Sequence, residues 1–243
     1  MYPFLGTNNY QSLVRSAASH YRSSGRAAYY FARGKLRGDP VFSTLLARGL
    51  IPNGARILDL GCGQGLLAAW LEAAQEGFES GYWIDGWPPP GRPMSYRGIE
   101  RNANEVARAI RALGARARFE VLDIGTANLG TADVVVILDV LHYLDFEAQR
   151  LVLLRVHTAI APSGQLLLRV GDARGGLRFR LNRWVDRAVL AARGYGGASL
   201  SCRTLPEWLA LLGDCGFASE IIPMGKWGAS ANILLRATSK SLA

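Results

Sequence analysis

The sequence predicts an α/β protein: a mostly parallel, seven-stranded sheet with helices on both faces and a helical segment ahead of it. Three observations carry this. Over residues 55–168, apolar runs alternate with amphipathic stretches, as strands do when helices cover their sheet. The first run, ARILDLG (55–61), reads as a buried strand ending in glycine, and it opens directly onto a helical stretch. At 243 residues and 49% apolar content, the chain can also bury one large core.

The elements follow in order. Residues 1–50 read as one or two helices rich in aromatics (Tyr21, Tyr29, Tyr30, Phe31) and form an N-terminal extension; residues 51–243 form the main domain. After the first strand, a helix over 64–76 gathers Leu66, Leu67, Trp70 and Leu71 on one face. Residues 78–95 then interrupt the alternation with a Pro/Trp-rich insert whose three consecutive prolines favour an extended loop. Helix-to-strand links lie at the amino ends of parallel strands, so this insert is expected to pack or interact away from the chemistry. Strands follow over 96–100, 117–123, 132–140 and 164–172, with helices over 103–113 and 146–160. The Ala-Pro-Ser-Gly run at 161–164 reads as the stop of that last helix. A basic helix over 177–193 is followed by a Gly-rich break over 194–199. Thr204-Leu-Pro-Glu207 opens a further helix through a capping box, and strands over 217–223 and 232–238 finish the chain.

The formal charge of +9 invites a nucleic-acid reading, but it is unevenly spread. Residues 1–56 carry +7, with Asp39 their one acid; residues 57–168 carry −4; residues 169–243 carry +6. An acidic centre between basic flanks is not a uniformly basic binder, which makes nucleic acid an unlikely partner. Three cysteines without C-x-x-C spacing indicate neither a zinc set nor a disulfide framework, and no metal is expected. With no signal peptide and no apolar run of membrane-spanning length, a soluble, cytoplasmic protein is expected.

The chemistry centres on Asp59-Leu-Gly-Cys-Gly-Gln-Gly65. Glycines let a ligand approach the backbone, but G-x-G-x-G alone does not select a cofactor. A dinucleotide fingerprint would have a third glycine where Leu66 stands, and an acid just before the loop would oppose a diphosphate. Asp59 suits a ligand presenting an ammonium or hydroxyls instead, and Glu100, closing the next strand, suits a ribose diol. Glu100 lies 35 residues past Gly65, and the insert accounts for the excess over the usual spacing. Asp123-Ile124 closes the third strand, where an acid beside an apolar residue could read an adenine. The competing role for Asp59 and Asp123 is helix or turn capping, and for Cys62 that of a small apolar filler.

The ordered set ILDLGCGQG, GIE, VLDI and DVVVILDVLHYL resembles class I S-adenosylmethionine-dependent methyltransferases, well over residues 55–172 and loosely beyond. The resemblance implies a Rossmann-like fold, S-adenosylmethionine as cofactor and S-adenosylhomocysteine as product. It places the methionine part on Asp59, Gly61, Cys62, Gly63 and Gly65. Glu100 with the adjacent Arg101 would hold the ribose, Asp123 and Ile124 the adenine, and Asp139 would stand where the fourth strand opens onto the methyl group. The Asp/Asn-Pro-Pro-aromatic signature of base-modifying enzymes is absent; the corresponding stretch is Asp139-Val-Leu-His142. His142 could act as general base or merely line the pocket beside Tyr143. The resemblance also implies that residues 1–50 form a lid and 173–199 a substrate cap over the cofactor mouth, with Tyr30, Arg33 and Lys35 as lid candidates and Arg178 and Trp184 in the cap. With low specificity, the amino-terminal part is similar to bacterial methyltransferases of aryl-polyene and fatty-acid-like pathways of secondary metabolism. That implies a small-molecule or acyl-carrier-protein-bound acceptor, a hydroxylated aromatic or polyketide-like one. RNA methylation and a non-catalytic scaffold of the same fold are the competing functions. Peripheral membrane contact through 177–193 and a homodimer stay open.

Overall fold

The computed structural model describes residues 8–173, 201–224 and 232–240. The expected basic helix with Arg178 and Trp184, and the Gly-rich break at 194–199, lie outside them. Among the described residues, one sheet contains β1 (Arg56–Leu60), β2 (Ser95–Glu100), β3 (Arg118–Val121), β4 (Ala132–Leu138), β5 (Ile160–Gly171), β6 (Phe217–Ile222) and β7 (Asn232–Ser239). Their order across the sheet is β3-β2-β1-β4-β5-β7-β6, with only β7 running antiparallel to its neighbours.

The strand period of two sorts the core into two layers. Ile57, Val134, Val136 and Leu167 pack with α1 (Asn8–Ser19), α2 (Arg26–Gly38), α3 (Pro40–Ala47), α4 (Leu66–Glu79) and α5 (Ala103–Leu113). Leu58, Leu60, Val135, Ile137, Leu166 and Leu168 pack on the other face with α6 (Phe146–Ala159) and α7 (Leu205–Asp214). No helix among the described residues is long and apolar enough to cross a membrane.

The amino-terminal segment holds three helices where one or two were expected. Gly25, at φ 100°, separates a short 3-10 turn from α2, and Asp39 starts α3 by accepting from Val41 N at 3.1 Å with Pro40 in the first turn. β5 begins at Ile160, not 164: the Ala-Pro-Ser-Gly run is taken into the strand by a register shift opposite Ala132–Val134. α4 runs on to Glu79, through Gly77, where a Cβ would stand 2.5 Å from Leu13 Cδ2 of α1. The missing side chain is what lets the two helices approach.

The Pro/Trp-rich insert packs beside α1 and the turn before β1. Tyr10 sets its ring edge-on against Trp70 at 5.8 Å and Trp87 at 6.3 Å, and Asn9 Nδ2 donates to the Trp83 carbonyl at 2.8 Å. Gly91 passes the Ile51 carbonyl where a Cβ would stand at 1.9 Å, and Met94 N donates to Ala55 O to lead into the β1–β2 ladder. The insert thus sits at the amino edge of the sheet, opposite the glycine loop.

Candidate active site

The chain order reverses between β1 and β4, and at such a point the loops beyond the carboxyl ends diverge into a crevice. The glycine loop forms one wall. Gly61 N and Cys62 N both donate to the Ile99 carbonyl, at 2.8 and 3.2 Å, folding the loop over the end of β2. Gly61 (φ 76°) and Gly65 (φ 78°) adopt left-handed backbone. A Cβ at Gly61 would lie 2.3 Å from Val140 Cγ2, and one at Gly65 would lie 2.8 Å from Phe119 Cζ. Gly61→Ala is therefore expected to cost about 2–3 kcal/mol, from backbone strain plus overpacking. Thermal melts should show part of that loss restored when Val140→Ala is added, because only the steric share is removed.

Asp59 is 4% exposed and faces the α1–α5 layer, where the Tyr96 hydroxyl donates to its carboxylate. Burial pushes the Asp59 carboxyl up to about 7, against the Tyr96 hydrogen bond and with a further push from Glu100. A buried acid so reluctant to ionise is completed by a cation. Glu100 accepts from Gly63 N at 3.2 Å with one oxygen and from Asn102 N at 2.8 Å with the other, which holds the loop against the end of β2. Cys62 is buried and its thiol is pushed up by burial and by the Asp59 and Glu100 charges, the state of an inert filler. The N-terminal extension reaches the same loop: the buried Tyr21 hydroxyl donates to the Gln64 carbonyl at 2.9 Å. Gln64 Nε2, itself buried, finds no acceptor among the described residues and is a donor available within the loop.

The opposite wall is the end of β4. Asp139 has φ 59°, the one non-glycine residue with positive φ among the described residues, and its carboxylate is held from two sides. Arg169 of β5 donates to it through Nε at 2.8 Å and through a second guanidinium nitrogen, and Asn232 Nδ2 of β7 donates at 3.2 Å. The same guanidinium, 3% exposed, donates to Asp39 at the α2–α3 corner, and Lys35 Nζ completes the chain at 2.7 Å from Asp39. Lys35, read from sequence as a lid residue, is thus engaged by Asp39.

Asp123 is exposed and accepts from Gly125 N at 2.7 Å, a turn cap of the kind weighed above, beside the buried Ile124. Arg101 is exposed just past Glu100. His142 and Tyr143 are half-buried with ring centroids 4.1 Å apart, on a corner fixed by Gln149, whose Nε2 donates to the Leu141 and Leu144 carbonyls at 3.1 Å each. Tyr30 is exposed on α2, stacked edge-on against Tyr29, and Arg33 is exposed facing α1. Sequence reasoning missed Tyr21, Asp39, Gln64, Tyr96, Gln149 and Arg169. The Lys35-x-x-x-Asp39 spacing was the one local sign of the ion network. No group of three or more His, Cys, Asp or Glu side chains is placed to hold a metal among the described residues.

Strand order, glycine loop and the acids closing β1 and β2 together define a class I methyltransferase. A family model described as a methyltransferase domain matches residues 31–217, and the chain belongs to that family. Among solved structures it is similar to the mitomycin 7-O-methyltransferase MmcR, at 22% identity and TM-score 0.59, over 93% of this chain and 61% of that one. It is similar to the pyocyanin biosynthetic protein PhzM at 20% and 0.60, over 91% and 61%. It is similar to magnesium protoporphyrin IX methyltransferase from Synechocystis PCC 6803, with bound S-adenosylhomocysteine, at 18% and 0.55, over 95% and 98%. The chain spans about three fifths of MmcR and PhzM. Comparison with curated proteins finds no match.

Proposed function

We propose that this chain transfers a methyl group from S-adenosylmethionine to a hydroxyl of a small, aromatic or polyketide-like acceptor, free or carried on an acidic protein, in the cytoplasm. The observation that carries the reading is the convergence of a buried Asp59, a loop with no room for side chains at Gly61 and Gly65, and Glu100 at the carboxyl edge of β1 and β2. These residues fit the cofactor: Asp59 gains its charge against an ammonium, Glu100 exchanges its backbone partners for a ribose diol, and the crowding behind Gly61 and Gly65 leaves ligand access only from the crevice. Asp123 and Ile124 flank the adenine position, Asp139 the methyl end. When bound, the cofactor supplies a methyl already activated by its sulfonium.

The protein's own task is to align the acceptor, exclude water and take one proton. His142, three residues past Asp139, would accept the proton of the acceptor hydroxyl, the cofactor supplying the methyl. Tyr143 holds the imidazole, and Tyr30 closes over the mouth. The acceptor class is supported by the names of the structural relatives, two of which concern a 7-O-methyltransferase and N-acetylserotonin methyltransferase. Isothermal titration with S-adenosylhomocysteine tests the cofactor directly, with binding expected in the parent and lost in Glu100→Ala; a parent that does not bind sinks the proposal. Turnover of a panel of phenols then tests His142→Gln, expected to lose about 100-fold in kcat.

A further inference from the structure

The ion network uses the one acid of the first 56 residues, Asp39, and it uses it on Lys35 and Arg169. Three other cations of that segment converge elsewhere. Arg15 of α1 and Arg33 and Arg37 of α2 line a single small cleft of about 40 Å³, together with Tyr10, Gln11 and Val14. The helical period explains the convergence. Gln11 and Arg15 are one turn apart on α1, Arg33 and Arg37 one turn apart on α2, and the two pairs face each other across the groove. Tyr10 and Val14 are buried, and the Tyr10 hydroxyl is spent on the Leu36 carbonyl at 2.9 Å. Arg15 is steadied from its own helix, Nε donating to the Gln11 carbonyl at 3.3 Å. None of the three guanidinium groups forms an ion pair among the described residues.

Like charges one turn apart repel, and a third across the groove adds to the repulsion. An anion in the cleft adds an attraction to each guanidinium that offsets those repulsions. A carboxylate is planar and is satisfied by one guanidinium fork, so it would leave two of the three unmatched. A tetrahedral dianion presents oxygens in several directions and can accept from forks on both helices. The volume admits one such group, not a run of them. We infer that the Arg15–Arg33–Arg37 cleft between α1 and α2 is a binding site for a single phosphate group, free or as a monoester. The site is separate from the cofactor crevice, and the inference does not rest on the methyltransferase reading.

Titration calorimetry with inorganic phosphate at constant ionic strength tests it, with sodium chloride as the balancing salt. The parent is expected to bind one equivalent, and Arg15→Gln/Arg37→Gln to bind at least about tenfold more weakly. Arg48→Gln/Arg111→Gln removes the same charge from exposed positions elsewhere and is expected to match the parent. Affinity for S-adenosylhomocysteine, measured on each variant, is expected to be unchanged and shows that the fold is intact. Ethyl phosphate run beside inorganic phosphate identifies the source: equal affinity assigns free phosphate, and a tenfold gain assigns a monoester. A parent that shows no saturable phosphate binding overturns the inference, as does equal binding by Arg15→Gln/Arg37→Gln.

Discussion

Replacing Asp59 by asparagine is expected to abolish S-adenosylhomocysteine binding while making the cofactor-free protein more stable above pH 7. The two effects share one cause. Burial raises the Asp59 carboxyl from 3.8 to about 7 in the folded protein. Between those values the folded chain holds a proton that the unfolded chain has released, so stability falls as pH rises through this window and stays low above it. The penalty is about 4 kcal/mol when complete. Asparagine keeps the shape and an acceptor for the Tyr96 hydroxyl without it, and at pH 8 its melting temperature should exceed the parent's by about 5 °C or more. An ammonium-bearing ligand needs the carboxylate. The parent's affinity should therefore weaken about tenfold for each pH unit below about 7. A parent affinity that stays flat from pH 5.5 to 7 would remove Asp59 as the ammonium partner.

Arg169→Met should have the largest effect on stability. It takes the shared guanidinium from two carboxylates, leaving Asp39 to Lys35 and Asp139 to Asn232, and breaking a buried pair from one side costs about 3–5 kcal/mol. In a chain of this size, that is a fall of about 10 °C in melting temperature. Burial alone would raise the Asp39 carboxyl, but the Arg169 and Lys35 charges win and hold it well below the ordinary carboxylate range. Its contribution is therefore present at neutral pH and is lost as pH falls below about 4. The deficit of Arg169→Met should narrow on acidification, since its two carboxylates then protonate. Adding Asp39→Asn and Asp139→Asn to the same chain should recover most of it at pH 8. A single variant that melts within about 2 °C of the parent would show that the network holds nothing together.

What could be read from sequence, and what could not, divides along the range of the interaction. The glycine loop and Glu100 declare themselves because a strand end, a turn and a helix start are set by neighbouring residues. The sheet was legible for the same reason: Val134–Val136 and Leu166–Leu168 leave little choice but buried strands. Arg169 carried no such sign. Its partners lie 30 and 130 positions away, and an arginine in an apolar strand looks the same whether it is solvated at an edge or locked between two acids. Tyr21 and Tyr96 were invisible for that reason too, since each matters through a hydroxyl that meets a residue about forty positions off. The positive φ of Asp139 could not be read either, because no glycine marks the position and the conformation is held by side chains from β5 and β7. Lys35 is the converse case: sequence reads its charge as facing a ligand, and the structure adds an ion pair with the acid one turn along.

The docking of α1 also sets an order of events during synthesis. Its apolar face, with Tyr10, Leu13 and Val14, emerges well before part of the surface it buries against, which belongs to α4 and the Trp83–Trp87 insert some sixty to eighty positions later. At about 10 residues per second, that face stands open for several seconds before its partners leave the ribosome. During that interval the segment is a natural client for a chaperone. Since Tyr21 of the same segment contacts the glycine loop, the crevice is built only once these two separated parts of the nascent chain have met.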